Sequence, residues 1–439
     1  MSTVHKKSSG NRPLPVQWVA GLSCALLYTF LAIRSNCTTG IDLPSFLVGY
    51  WLIAAVLFLY WYYLFDHDLD IRYRDVIGWA IVFRLLGIYG SPILEDDFYR
   101  YLLDGCLFWS SASPYGISPE SLFQANSLSS ECRDALIWVN NPHLPTVYGP
   151  VLQYTFALAH LISPANIVPL QVILAGVDIG IILLLCKLAR AREVLLYAWN
   201  PLVLKEAIFT AHPDVIGIFF LLVAFFARSH HRTAIACLFV ALACATKVFA
   251  LLALPFFLYQ QKMRYWILTA TVMGVLYLPF IMQGQTDLPV LGKFMETWIF
   301  NATAFRLAAF IFPDLVARLV CLGAFVLWWC CYFFHYQKHA APGAIPRMDW
   351  IFALFFLLSP VTNAWYIVWL LPFAVIRPSC WPWATSVAVS LTYVTGLHWE
   401  GSELGAYQIA DWAFALEVVL ILAAVCHDFR NHRLTFNAS

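Results

Sequence analysis

Fourteen apolar runs punctuate this chain, near 16–34, 45–65, 76–93, 168–187, 194–208, 212–227, 233–246, 248–260, 265–282, 314–336, 349–360, 362–376, 381–398 and 411–427. A soluble domain carries about a quarter of its residues charged; here 12% are charged and 61% are hydrophobic. So many apolar runs with so little charge predict a multi-pass, all-α membrane protein. Within lipid each backbone polar group must find its partner inside its own segment. A bundle of about 12–14 transmembrane helices is expected, although several runs fall short of the ~20 residues that a full span needs. Short pieces are tolerated where they are packed in protein or line a cavity.

Lysine and arginine set the orientation. With the N-terminus inside, 17 of the 26 fall on the inner side, Arg84 lies within a span, and eight lie outside. Both termini are then expected to be cytoplasmic, and the basic start "MSTVHKKSSGNRPLP" reads as the inner flank of a retained first span. Three regions follow: N-terminal spans over 1–93, a large extracytoplasmic loop over 94–167, and C-terminal spans over 168–439. The run 151–163 is read as a short interfacial or re-entrant helix, because making it a span would turn Lys187, Arg190 and Arg192 outward. No repeat and no nucleic-acid module is visible, and a net charge of +1 gives no polyanion signal. The twelve cysteines lack metal spacing. Cys106 and Cys132 share the outer loop, where an oxidising compartment permits a disulfide.

The loop opens on "SPILEDDFYRYLLDG", with Glu95, Asp96 and Asp97 in a row. Read as a helix over 96–109, it puts Asp97, Arg100, Tyr101 and Asp104 on one face, and Phe98, Leu102, Cys106 and Trp109 on another. The pattern predicts an amphipathic surface helix, with Arg100 able to pair with Asp97 and Asp104. Glu95 and Asp96 stand at its N-terminus, where the helix dipole favours anions.

Other polar residues gather on the same side. Lys205, Glu206, His212 and Asp214 surround one outer turn, Lys247 a second, Asn301 and Arg306 a third, and Asn363, Trp365 and Tyr366 a fourth. Each has a structural reading when taken singly: a snorkelling lysine, a satisfied core histidine, an aromatic belt. As a set around one face they suit a lipid-phosphate-linked sugar. Cations meet the phosphate, aromatic and amide groups meet the sugar, and a carboxylate takes the acceptor proton.

"EDDFYRYLLDG", "ASPYGISP" and "NNPHLPTVYGPVLQ" resemble the first outer loop of membrane GT-C glycosyltransferases that use polyprenyl-phosphate sugars. "YAWNPLVLKEAIFTAHPD", "ATKVFALLALP", "FNATAF" and "SPVTNAWYIVWLLP" follow in the family's order, so the resemblance runs from about 90 to 376. It is nearest to bacterial polyprenol-phosphate-mannose-dependent mannosyltransferase-like proteins and more distant to GPI mannosyltransferase I. It implies a multi-pass protein of the bacterial inner membrane with its site facing the periplasm. The reaction implied is inverting transfer of a sugar, mannose by this likeness, from a polyprenyl-phosphate donor to a hydroxyl of a lipid or glycan acceptor. No cofactor or metal is called for.

Asp97 and Asp96 carry over as the catalytic acids, and Lys247, Arg306, Arg100 and Lys205 are the candidate phosphate contacts. Glu95, Tyr99, Tyr101, Asp104, Tyr115, Tyr148, His212, Asp214, Asn301, Trp365 and Tyr366 are the candidate sugar and acceptor contacts. The chain departs from the pattern at Leu103 (where Trp is expected), at Gly149 (Pro) and at Asn363-Ala364 (often His-Pro), and in having two extra spans before the loop. These departures bear on sugar and acceptor identity. A transporter or flippase of a lipid-linked or anionic substrate is the competing class; it predicts internal repeats and needs no acidic outer loop. A structural subunit, the third class, would leave Asp96 and Asp97 dispensable.

Overall fold

The apolar runs fold as helices of two lengths. The computed structural model describes residues 14–111, 113–124, 128–341, 343–377 and 379–431. Among them are helices and two isolated bridges, and no strands, so the all-α polytopic expectation holds. The expected inner flank with Lys6, Lys7 and Arg12, and Arg433 at the other end, lie outside the described residues.

The chain opens with α1 (Leu14–Ser35), α2 (Leu43–Asp66) and α3 (Tyr73–Tyr89). The loop region holds α4 (Asp97–Ser111), α5 (Ser130–Ile137) and α6 (Pro150–Ile162). Next come α7 (Val168–Leu188), α8 (Ala191–Ala198), α9 (Pro201–Phe209), α10 (Asp214–Ser229), α11 (Thr233–Cys244), α12 (Leu254–Leu258) and α13 (Met263–Ile281). Last are α14 (Leu288–Thr297), α15 (Thr303–Ile311), α16 (Asp314–His339), α17 (Met348–Leu358), α18 (Ala364–Ile376), α19 (Trp381–Ala388) and α20 (Asp411–Arg430).

Six of these, α1, α2, α7, α13, α16 and α20, are long and apolar enough to cross a membrane; counting the bent pair α9–α10 as one span makes seven. Others of the fourteen apolar runs fold as shorter helices, among them α11, α17 and α18. Asn200 caps α9, its side chain accepting from Leu202 N at 2.9 Å, with Pro201 in the first turn. The end of α9, Leu204–Phe209, winds as a π-turn. There Thr210 Oγ1 donates to the carbonyls of Lys205 (2.7 Å) and Glu206 (3.0 Å). Ala211 takes a positive φ, and α10 leaves at 115°. The junction between the runs 194–208 and 212–227 is thus a sharp bend, at the point where the chain carries Lys205, Glu206 and His212. The segment 151–163 does form a short helix, α6.

Inside the bundle a buried charge pair fixes α3 against α7. Arg84 Nε donates to Asp178 Oδ2 at 2.7 Å, and Tyr197 OH donates to Asp178 Oδ1 at 2.6 Å. Either charge left alone at this depth is costly, so each requires the other.

The loop region has a small core of its own, Leu103, Leu107, Leu128, Leu136 and Val139, stapled by a disulfide between Cys106 and Cys132. Leu103 is fully buried in it. At Gly149 the lack of a side chain is required: a Cβ there would lie 2.5 Å from the carbonyl oxygen of Ala245. The start of α6 therefore abuts the end of α11, and Val151 N donates to that same carbonyl at 3.2 Å.

Candidate active site

A cavity of about 1150 Å³ opens beside the N-terminus of α4. Its polar wall includes Glu95, Asp96, Asp97, Arg100, Asn140, Tyr148 and Lys247, with Trp365 and Tyr366 from α18. Apolar side chains of α13, α16 and α17, such as Met273, Leu322, Phe325 and Phe355, make up much of the remaining wall.

The three acids do not behave as one patch. Asn140 Nδ2 donates to Asp96 Oδ1 and to Asp97 Oδ1, each at 2.7 Å. Asp97 Oδ2 faces the hydroxyl of Tyr148 at 3.4 Å. Glu95 has no hydrogen-bond or ion-pair partner among the described residues. Burial pushes its carboxyl well above the usual range, and Asp97, Glu206 and Asp96 add to the rise against a lowering by Lys205. Burial also raises Asp96, as does the charge of Asp97, while the Asn140 bond opposes both.

The helix α4 forms as expected, but its polar face is the buried one. Arg100, Tyr101 and Asp104 are all buried, and Trp109 is exposed. The expected Arg100–Asp97 and Arg100–Asp104 pairs do not form; Arg100 Nη2 donates to the carbonyls of Asn140 and Asn141, at 3.3 Å each. Asp104 accepts from Thr146 Oγ1 (2.5 Å) and Gln153 Nε2 (3.0 Å). These partners on the returning chain and α6 explain the inversion: a polar stripe buries at lower cost when its side chains find bonds, as Arg100 does and as Asp104 does through Oδ2, while its Oδ1 is left without a hydrogen-bond partner among the described residues. Burial raises the Asp104 carboxyl to about 6, although Arg100, Thr146 and Gln153 pull the other way.

Behind the wall runs a relay of rings. Tyr101 OH meets His212 Nδ1 at 2.9 Å and Tyr148 OH at 3.4 Å, and His212 stacks on Trp365 with centroids 4.0 Å apart. His212 Nε2 lies 3.7 Å from Glu206, which bonds Lys205 (3.2 Å) and Tyr393 (2.8 Å). Lys205 also donates to the Tyr393 hydroxyl. Lys247 Nζ sits 2.7 Å from both oxygens of Asp214, which also accepts from Trp369 Nε1 at 2.6 Å.

Of the residues singled out in the sequence, Glu95, Asp96, Asp97, Arg100, Tyr148, Lys247, Trp365 and Tyr366 line the cavity. Tyr101, His212, Asp214, Lys205 and Asp104 are buried outside its lining. Tyr115 braces Tyr148 by donating to its carbonyl at 2.8 Å. Tyr99 stacks on Trp138 away from the cavity. Asn301 is buried and donates to Glu417 at 3.1 Å. Arg306 is exposed over the Phe414 ring and does not reach the wall. In its place Arg318 lines the cavity, bonded to Asp314 (2.8 Å) and the Met295 carbonyl (2.6 Å). Asn140 and Arg318 are among the lining residues that sequence reasoning missed, with Asp287, Tyr393 and His398. Asn140 stands in the quoted "NNPHLP" stretch; nothing in Arg318's neighbourhood marks it.

Among the described residues, two groups bring metal-ligating atoms within 4.8 Å of one another: Cys106, Cys132 and His160, and Glu95, Asp96 and Asp97. The first has its two thiols in a disulfide. In the second, amide hydrogens of Asn140 occupy one oxygen of Asp96 and one of Asp97. A family model described as "Alpha-(1->6)-mannopyranosyltransferase, N-terminal domain" (MptA_B family) matches residues 23–261 of the chain. No curated protein and no solved structure matches.

Proposed function

We propose a reaction for this chain, which belongs to the MptA_B family of alpha-(1->6)-mannopyranosyltransferases. Membership makes it a multi-pass membrane glycosyltransferase that transfers mannose. The donor is a polyprenyl-phosphate mannose, the acceptor is a hydroxyl on a lipid or glycan, and transfer takes place on the extracytoplasmic side of a bacterial inner membrane by a GT-C-type protein. One observation carries the reading: carboxylates tied by Asn140 share a cavity with Lys247 and Arg100, and α13, α16 and α17 add apolar wall. A donor with a charged head and a long apolar tail needs both kinds of wall. The Cys106–Cys132 bridge supports the outer side, since disulfides persist in oxidising compartments.

Asp97 takes the proton of the acceptor hydroxyl as its oxygen attacks the anomeric carbon, and the bond from that carbon to the phosphate oxygen breaks. Lys247 and Arg100 offset the charge that builds on the departing polyprenyl phosphate. Lys205 and Arg306 leave the phosphate set because neither lines the cavity. Base and leaving group lie on opposite faces of the sugar, so the configuration inverts. An α-linked product, as the family description names, then requires a β-linked donor. The test is transfer by the purified protein from polyprenyl-phosphate mannose to a panel of mannoside and lipid acceptors, with the product anomer read by NMR. Retention of configuration, or transport of the donor across vesicles without transfer, would refute the reading.

A further inference from the structure

We infer that Asn140 is the positioning residue of this site, holding the two neighbouring carboxylates so that Asp97 presents one defined oxygen to the acceptor. This rests on the reading of Asp97 as the base. Side chains of consecutive residues at a helix start diverge, and two ionised carboxylates repel. Here one amide nitrogen, which has two hydrogens, spends one on Asp96 Oδ1 and one on Asp97 Oδ1, both at 2.7 Å. The outward oxygen of Asp97 is thereby Oδ2, with the Tyr148 hydroxyl 3.4 Å away as its loose guide.

Asn140 is itself held independently of its side chain. Arg100, one turn into α4, grips the carbonyls of Asn140 and Asn141. Asn141 takes a positive φ, and its carbonyl accepts from Leu144 N at 3.0 Å. The Pro142 carbonyl accepts from Glu120 N at 2.8 Å. The clamp is reciprocal: the helix holds the turn by its main chain, and the turn holds the helix's acids by its one side chain. Removing the amide leaves the other half in place. Asn140 therefore acts on where the base points, and not on whether the loop forms.

The experiment compares wild type, Asn140→Ala, Asn140→Ser, Asp97→Asn and the Asn140→Ala/Asp97→Asn pair, with polyprenyl-phosphate mannose as donor and a simple α-mannoside as acceptor. Asn140→Ala is expected to lower kcat about 10²-fold, the scale of a misplaced reacting group, with the donor KM within about twofold of wild type. Asn140→Ser, with one hydrogen to give, falls between. In the Asp97→Asn background the loss of the amide adds little, because the base it aims is gone. Normal kcat in Asn140→Ala, with Asp97→Asn inactive, overturns the positioning role and leaves the base assignment standing. Full activity of Asp97→Asn, or no transfer from this donor by wild type, refutes the underlying reading and the inference with it. Equal losses in kcat and donor affinity for Asn140→Ala, with the Cys106–Cys132 bridge newly cleaved by a mild thiol reductant and its two thiols then alkylated, would mean a scaffold role and also overturn it.

Discussion

Lys247 reaches both carboxylate oxygens of Asp214 at 2.7 Å while keeping a side on the cavity wall, so its charge is both anchored and available. The rings of Tyr366 and Phe249 lie 5.1 and 5.6 Å from its ammonium. A hydrogen bond to a charged group contributes about 1.5–3 kcal/mol. Lys247→Ala should therefore raise the donor KM about 10–100-fold, with protein still recovered folded from the membrane. Unchanged donor kinetics would make the pair a structural brace alone.

Asp97→Asn should lower kcat by about 10²–10⁴-fold, the usual scale for a lost general base, with donor binding largely kept. Asp96→Asn should be milder. The check is single-turnover transfer alongside donor binding by each variant. If the variant lacking both acids transfers at a near-normal rate, neither is the base.

Asp104 gives the loop region a pH signature. Its folded carboxyl sits at about 6 against 3.8 for a free one, raised by burial. A raised carboxyl contributes its full stability below the unfolded value and loses it as pH climbs through the folded one. The loop should thus be more resistant to proteolysis at pH 4 than at pH 7, with most of the change between pH 4 and 6. Asp104→Asn should flatten that dependence; a profile unaltered by the substitution would assign it to other groups.

The side on which the site lies can be read with a native thiol. Cys37 is exposed in the turn after α1, on the outer side by the lysine and arginine distribution. It should react with an impermeant maleimide on intact cells, whereas a cysteine placed at exposed His230 should not. Labelling of the second from outside would reverse the orientation.

Much of this molecule was legible as one-dimensional pattern. The apolar runs announced an all-α membrane protein and "EDDFYRYLLDG" announced α4, whereas two cysteines in one loop only permitted the bridge that forms. What stayed hidden was set by partners far along the chain. The polar stripe of α4 reads as solvated until Thr146, Gln153 and the Asn140 carbonyl close over it. Arg306 and Arg318 are alike in sequence, two cations a few turns apart. Only the packing of α15 and α16 decides that the second faces the cavity. Hydropathy likewise separates the runs 194–208 and 212–227 but does not show the π-turn that ends α9 or the 115° bend into α10.

Gly149 makes the spacing between Asp97, the proposed base, and Lys247 something close to a fixed gauge. Its bare backbone lies against the Ala245 carbonyl, two residues before Lys247, while Tyr148, just ahead of it, faces Asp97. The strip that carries the acid's neighbour and the strip that carries the ammonium thus touch through main chain, with no side chain between them to swell or yield. Sliding one strip would move both ends of the gauge together. On the proposed reaction, a donor whose anomeric carbon and phosphate do not match that separation has no soft joint to exploit. Tolerance for varied acceptors would then come from the rest of the cavity, where Glu95 has no hydrogen-bond or ion-pair partner among the described residues.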